Sequence, residues 1–298
     1  MKGKETIKFS ALSMENFCCL CYNVGNKKRT VYRHEKQEIK MAFIEMKIHS
    51  DSLGHGVSVN VIIPQYAETI IGMSGKAEPK YKTLWLLHGL SDDHTAWARR
   101  TSIERYAADR GIAVVMPFGG RSWYTDAAYG AKYFTFITEE LPRVCREMFR
   151  GMSDKREDNM IAGLSMGGYG AMKAALTYPE RYMGCTALSG AFDIAYMASV
   201  LVPDEAKYIF GDMASADELY GSCHDVFHLA RQAVKDGREL PRIYMWCGHD
   251  DFIHDSSEKM HAVLSEEGIE HVYEKSDGDH SWGYWDKYIQ TGLDYMMK

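Results

Sequence analysis

No apolar run in this chain approaches the roughly 18 residues that a membrane-spanning helix needs. Positive charge is not in excess either. The 35 Lys and Arg stand against 41 Asp and Glu, a net charge of −6, which leaves no basic footprint for nucleic acid. Gly-Lys-Ser/Thr after a glycine loop is absent, and so is G-x-G-x-x-G, so the two common phosphate-cradling readings fail. There is no internal repeat and no low-complexity tract. Cysteine is scarce and odd in number. Seven residues without a convincing secretory leader favour a reducing compartment, so a cytoplasmic location is expected. Lys2, Lys4 and Lys8 suit a basic leader, but Glu15 and Asn16 interrupt the apolar stretch that should follow. Cys18, Cys19 and Cys21 form a C-C-x-C cluster with no second Cys/His cluster of zinc spacing nearby, so no metal is expected there.

What is present describes an ordinary globule. The 298 residues are 46% hydrophobic and 26% charged, enough for one large α/β domain or two small ones. Charge is unevenly placed. Residues 1–40 carry nine Lys/Arg and four Asp/Glu, whereas 41–298 carry 26 and 37. The break at Met41 marks 1–40 as an N-terminal extension outside the core and 41–298 as the domain.

Short apolar strands are expected at 43–49, 57–64, 83–87, 112–116, 159–164, 182–188, 242–247 and 271–274. The first two pair as a hairpin through a Gly-containing turn at 52–56. A polar loop is expected at 65–82. Helical periodicity runs through 132–150, with Pro142 as a kink or break, and returns at 171–178, 256–267 and 281–297. Strands alternating with helices imply a mostly parallel sheet covered on both faces. The segment 191–240 breaks that rhythm with helix-like pieces and no strand signal. It reads as a cap above the C-terminal strand ends, where ligands bind in open α/β sheets.

The most informative run is Gly163-Leu164-Ser165-Met166-Gly167-Gly168-Tyr169-Gly170, which contains G-x-S-x-G between a strand and a helix. That is the context of a nucleophile elbow, in which the chain turns sharply and exposes the serine hydroxyl at the sheet edge. A nucleophilic serine needs a base, an acid to orient the base, and donors for the oxyanion. On this type of fold the order is Ser, then Asp or Glu, then His. Asp250 and Asp251 both follow the seventh strand, and either could be the acid. His280 is the last of twelve histidines and stands in a Gly-containing loop past the final strand. The oxyanion donors are expected to be the N–H groups of Met166 and Leu90, with Gly89 allowing close approach. His88 more naturally buttresses that loop than performs chemistry. Trp123, Tyr124 and Trp282 have a plain packing reading beside one in which they line a substrate pocket, and His88 and Gly89 border the same space. A metal reading competes at His249, Asp250, Asp251, His254 and Asp255, but their spacing is irregular.

The runs Leu86-Leu87-His88-Gly89-Leu90-Ser91, Gly163-Leu164-Ser165-Met166-Gly167-Gly168, Gly248-x-x-Asp251-Phe252 and His280-x-Trp282-x-x-Trp285 resemble the esterase D family. The branch is that of tributyrin and acetyl esterases, with S-formylglutathione hydrolases as relatives. Met41-Ala42-Phe43-Ile44 and Trp123-Tyr124-Thr125 share that look. The resemblance covers about 41–298 and implies an α/β-hydrolase fold and ester hydrolysis without a cofactor. It selects Asp251 over Asp250 and supports Leu90 and Met166 as oxyanion donors.

The expected function is a serine carboxylesterase acting on short-chain, acetyl-type esters, with carbohydrate or feruloyl esters as candidate sources. The alternatives are an S-formylglutathione hydrolase-like thioesterase, an acyltransferase, a metal-dependent hydrolase and a non-catalytic ligand-binding protein. The partner is a small-molecule ester, with no nucleic acid and no membrane. Monomer and homo-oligomer both stay open. Activity is expected to fall below about pH 6.5, where an ordinary imidazole protonates.

Overall fold

The computed structural model describes backbone residues 10–14, 17–24, 27–33, 40–65, 80–213 and 215–298. Most of the loop expected at 65–82 lies outside the described residues, as do Lys2, Lys4, Lys8, Glu15, Asn16 and the side chains of Cys18, Cys19 and Cys21. The chain divides into two units, Met1–Ile39 and Lys40–Lys298. In the first, β1 (Ser10–Met14), β2 (Phe17–Val24) and β3 (Lys27–Arg33) form an antiparallel sheet in that order, with Leu12 opposite Cys19 and Cys21 opposite Thr30. These strands lack the clean apolar alternation that marks a half-buried strand, and the sequence pattern does not announce them.

The second unit holds β4 (Lys40–Ser50), β5 (His55–Gln65), β6 (Thr83–Leu87), β7 (Ala113–Pro117), β8 (Asn159–Leu164), β9 (Gly184–Leu188), β10 (Arg242–Gly248) and β11 (His271–Ser276). They form one sheet in the order β11-β10-β9-β8-β6-β7-β5-β4. β5 is antiparallel to β4 and β7, and every other neighbouring pair is parallel. The helices are α1 (Ala96–Arg100), α2 (Ile103–Arg110), α3 (Tyr133–Thr135), α4 (Leu141–Met148), α5 (Met166–Thr177), α6 (Ile194–Val200), α7 (Pro203–Phe210), α8 (Ala216–Leu219), α9 (Val226–Lys235), α10 (His254–Glu266) and α11 (Trp282–Met296). None among the described residues is long and apolar enough to cross a membrane.

The central strands are buried end to end because helices cover both faces. Alternate side chains divide between two cores. Trp85, Leu87, Val115, Ile161 and Met245 meet α5, α9 and α10, while Leu84, Leu86, Val114, Met160 and Trp246 meet α1, α2 and α11. With this strand order, the architecture is the α/β-hydrolase fold.

Two departures from the sequence pattern have physical causes. The helix expected through 132–150 is α3, a π-helical turn at Phe136–Glu140, and α4, with Pro142 in the first turn of α4. Proline cannot donate to the carbonyl four residues back. That carbonyl, of Thr138, instead accepts from Arg181 Nη1 at 2.9 Å. From the same wide turn, the Glu140 carboxylate accepts from Ser50 Oγ at 2.6 Å and from the Asp51 and Ser52 N–H groups, which closes the β4–β5 hairpin. The second departure lies in 191–240. α9 packs against α5 and α10 as part of the helical layer, so only α6, α7 and α8 are free of the sheet sandwich.

Candidate active site

Ser165 stands between β8 and α5 with φ 53° and ψ −119°. From Asn159 to Leu176 it is the only residue that is not buried. The glycines beside it answer to contact. A Cβ on Gly163 would strike the Gly167 carbonyl, and one on Gly167 would lie 2.5 Å from the Leu87 carbonyl oxygen. Strand and helix can therefore close on one another only with hydrogen at both positions. The Ser165 N–H donates to Leu188 O at 2.9 Å, and its carbonyl accepts from the Ala191 N–H at 3.2 Å. The end of β9 thus lies directly beside the serine.

Past β10, Asp251 is buried, with its side chain fully enclosed. His280, in the loop after β11, sets Nδ1 at 3.0 Å from both carboxylate oxygens. The Ile253 N–H donates to Oδ1 at 3.0 Å. Burial opposes ionisation of Asp251, but hydrogen bonds and charge from His280, with the Ile253 and Ser189 donors, hold its carboxyl below the ordinary value. Asp250 is exposed, and its N–H donates to Gly278 O. With Nδ1 on the acid, Nε2 is the imidazole nitrogen left for chemistry. The His280 ring is flanked by Phe252 at 4.5 Å and, edge to face, by Trp285 at 4.9 Å. His254 of the competing metal run turns Nδ1 to Gly248 O and Nε2 toward Glu258, away from Asp251.

The loop after β6 passes close to the serine. A Cβ on Gly89 would lie 2.8 Å from Leu164 Cδ1 and 3.7 Å from Ser165 Cβ. The Leu90 N–H donates to no backbone acceptor among the described residues. Met166, as the first residue of α5, has no intrahelical acceptor for its own N–H. Both groups can therefore donate to a ligand.

The family model described as "Putative esterase" matches residues 50–296. The chain belongs to this esterase family. An acetyl esterase from Caldicellulosiruptor saccharolyticus is 32% identical over 267 residues, 87% of this chain and 99% of that protein. The solved serine hydrolase FphF of Staphylococcus aureus superposes with a TM-score of 0.80 at 34% identity, covering 87% of this chain and 99% of its own. An S-formylglutathione hydrolase (FrmB) from the same organism gives 0.78 at 33% identity, covering 87% and 100%. The protein is a carboxylic ester hydrolase of the serine type.

In this esterase, three side chains expected at the substrate are turned inward instead. His88 is 1% exposed, and both ring nitrogens are occupied. Nδ1–H donates to Gly89 O at 2.7 Å, and Nε2 accepts from the Gly119 N–H at 2.8 Å. Burial holds this imidazole below its ordinary pKa, so it stays neutral and braces the loop. Tyr124, fully buried, donates its hydroxyl to His88 O at 3.0 Å. Trp123, also buried, meets the Tyr169 ring at 5.9 Å. Trp123 and Tyr124 have φ of 52° and 46°, a conformation that no sequence pattern announces for aromatic residues. Trp282 is half-buried and packs edge to face between Trp97 and Trp285.

Two groups escape sequence reasoning. Lys173 on α5 is 3% exposed. Its Nζ donates to Thr125 Oγ1 at 2.9 Å, lies 3.3 Å from His224 Nδ1, and stands 4.7 Å above the Phe134 ring. Burial lowers the Lys173 amine to about 8. Burial, and then the Lys173 charge, lower His224 to about 3. On the cap side, Arg121 Nε and Nη2 grip the two oxygens of Glu205 at 2.6 and 2.9 Å, tying α7 to the loop after β7. A cavity of about 190 Å³ opens beside this pair against Tyr133, Tyr208 and Ile209. Neither group carries a motif, since each is assembled from segments far apart in the chain.

Proposed function

We propose that this esterase cleaves short acyl esters with Ser165 as nucleophile, His280 as general base and Asp251 as the acid that holds the base. The observation that carries the reading is the pairing of His280 Nδ1 with both oxygens of a buried carboxylate, two strands from the one unburied residue of the elbow. His280 Nε2 takes the hydroxyl proton as Ser165 Oγ adds to the ester carbonyl. The N–H groups of Leu90 and Met166 receive the oxyanion, each worth on the order of 10²–10³ in kcat. Collapse expels the alcohol, which leaves with the proton from His280, and a water molecule activated by the same nitrogen releases the acid. Asp251 keeps the proton on Nδ1 and steadies the imidazolium formed at each step.

An acetyl-type acyl group is the substrate proposed, on the strength of the acetyl esterase relative. Hydrolysis of S-formylglutathione is the second reading, favoured by the S. aureus neighbour of that name. The same attack then expels a thiolate, which needs less help from His280. Residues 1–40 are read as a unit not needed for turnover, since the family match begins at residue 50 and the second unit at Lys40. Helices α6–α8 are read as the cap that selects the ester.

The test is hydrolysis of p-nitrophenyl acetate by the protein beside its Ser165→Ala variant. Turnover that disappears in the variant supports the reading. Equal turnover in both removes Ser165 from the mechanism. Comparing kcat/KM on S-formylglutathione with that on acetylated sugars separates the two substrate readings.

A further inference from the structure

We propose that Phe252 is a specificity-determining residue for the alcohol half of the ester, a platform for an alcohol that presents a flat apolar face. The inference rests on the assignment of His280 as the base of the hydrolytic site. Phe252 follows Asp251 in the turn between β10 and α10 and is the most exposed large hydrophobic side chain among the described residues, at 75%. Its neighbour Ile253 is buried. The turn that exposes one and buries the other is pinned on both sides. The Asp251 N–H donates to Gly248 O at 3.3 Å, the Ile253 N–H to Asp251 Oδ1 at 3.0 Å, and the His254 N–H to Asp251 O at 2.9 Å. The bonds that place the acid therefore also place the phenylalanine. A lone apolar side chain on a surface is ordinary. This one is held outward by the turn of the acid and lies against the base, and that combination asks for an occupant.

The Phe252 ring centroid stands 4.5 Å from that of His280, with the planes inclined by 53°. Trp285 also meets the imidazole, edge to face at 4.9 Å, and is itself buried. Of the two aromatic rings beside the base, one is committed to the core and the other is open to a ligand. The mechanism says which part of the ligand comes there. To return its proton, Nε2 must come within about 3 Å of the departing alcohol's oxygen. With Nε2 roughly 1 Å from its own ring centre, that oxygen falls within about 9 Å of the Phe252 centroid, so a ring one carbon beyond it can lie on the phenyl face. The acyl carbon, by contrast, is fixed on Ser165 Oγ with its oxygen turned to the Leu90 and Met166 N–H groups. Phe252 offers neither charge nor hydrogen bond, so it selects by shape. A phenyl face accepts C–H edges and offset flat rings. An aryl ring and the C–H face of a pyranose both supply that chemistry.

The experiment measures kcat and KM on four esters for the wild type, Ser165→Ala, Phe252→Ala and Phe252→Tyr. Methyl acetate and benzyl acetate share an acyl group and release alcohols of similar acidity, so the ring is what separates them. Methyl 6-O-acetyl-glucopyranoside carries a sugar ring on the same one-carbon arm, and methyl hexanoate lengthens the acyl side alone. The wild type should prefer at least one of the ring esters over methyl acetate. Phe252 is exposed, so its truncation opens no cavity in the core. In Phe252→Ala the kcat/KM ratio of that ring ester to methyl acetate should fall about tenfold, the scale of one aromatic contact. The loss should lie mostly in KM, since the contact serves substrate and transition state alike. Phe252→Tyr keeps the face and should keep the ratio within about twofold. A fall confined to the benzyl ratio assigns an aryl alcohol, and one confined to the sugar ratio assigns a sugar alcohol. A role limited to orienting His280 would lower kcat on all four esters together, and that result overturns the inference. So does a loss on methyl hexanoate alone, a set of unchanged ratios, or a wild type that prefers neither ring ester. Turnover absent from the wild type on every ester, or retained in Ser165→Ala, overturns the hydrolytic reading itself and this inference with it.

Discussion

His280 and His224 each lie against a buried charged side chain, but the charges have opposite sign. Beside His280 stands the enclosed Asp251 carboxylate, bound by Nδ1 at 3.0 Å. Beside His224 stands the Lys173 ammonium, 3.3 Å from Nδ1, and it helps drive that imidazole down to about 3. An anion welcomes the proton that a general base must carry for part of each cycle, whereas a cation forbids it. Lys173 also reaches Thr125, in the same turn as Tyr124, whose hydroxyl braces His88 and the loop of Leu90. The two clusters therefore serve different ends. On the proposed mechanism the first changes protonation during turnover, whereas the second holds loops together around an imidazole kept neutral.

The largest expected effect breaks the first cluster. Asp251→Asn should lower kcat by roughly 10⁴, because the amide favours the wrong imidazole tautomer. The melting temperature should fall far less than the activity. The matching change in the second cluster, His224→Gln, should leave kcat on p-nitrophenyl acetate within about threefold, since no step of the mechanism passes through it. A fall comparable to that of Asp251→Asn would erase the distinction.

Stability should separate the clusters by pH. The His224 pKa is about 3 in the folded state and 6.5 ordinarily, so the unfolded chain binds the extra proton between these values. Stability should drop as pH falls through that window, and His224→Gln should flatten the drop in denaturant titrations. Lys173, at about 8 against 10.5, has the same sign at higher pH. The cost of burying its charge is present in full below about 8 and is relieved as pH rises toward 10.5. Lys173→Met should remove that rise. Asp251 has the same sense in a more acidic window, since its folded pKa is lowered too. Its contribution is present above the ordinary carboxylate range and lost as pH falls below it. The smallest expected effect is that of a chain starting at Met41, which should keep kcat/KM on p-nitrophenyl acetate within about twofold of the full chain. Loss of activity or folding would place residues 1–40 in the working enzyme.

What was legible in the sequence follows the same division. The central strands could be read because continuous apolar runs mark strands buried on both faces, and Ser165 because glycines crowd where strand and helix close on each other. The choice between Asp250 and Asp251 could not be made from position alone, since both follow β10. It needed the family resemblance, and in the structure Asp251 faces His280 while Asp250 faces solvent. His88 braces its loop, in keeping with its buttressing reading, and Trp123 and Tyr124 follow their packing reading, buried rather than lining a pocket. Their direction is set by positive φ at two aromatic residues and by the Gly119 N–H, neither of which leaves a mark in the sequence. Lys173 and His224 were invisible for a related reason. Each gains its partner from a segment dozens of residues away.

The central claim is that Ser165 carries the acyl group. The most direct measurement is rapid acid quenching of the enzyme during p-nitrophenyl acetate turnover, followed by peptide mass spectrometry. The account predicts an acetylated peptide with the modification on Ser165, appearing with a burst of p-nitrophenol and absent from Ser165→Ala. Continued turnover in Ser165→Ala, or acetylation at another residue with Ser165 unmodified, would contradict it.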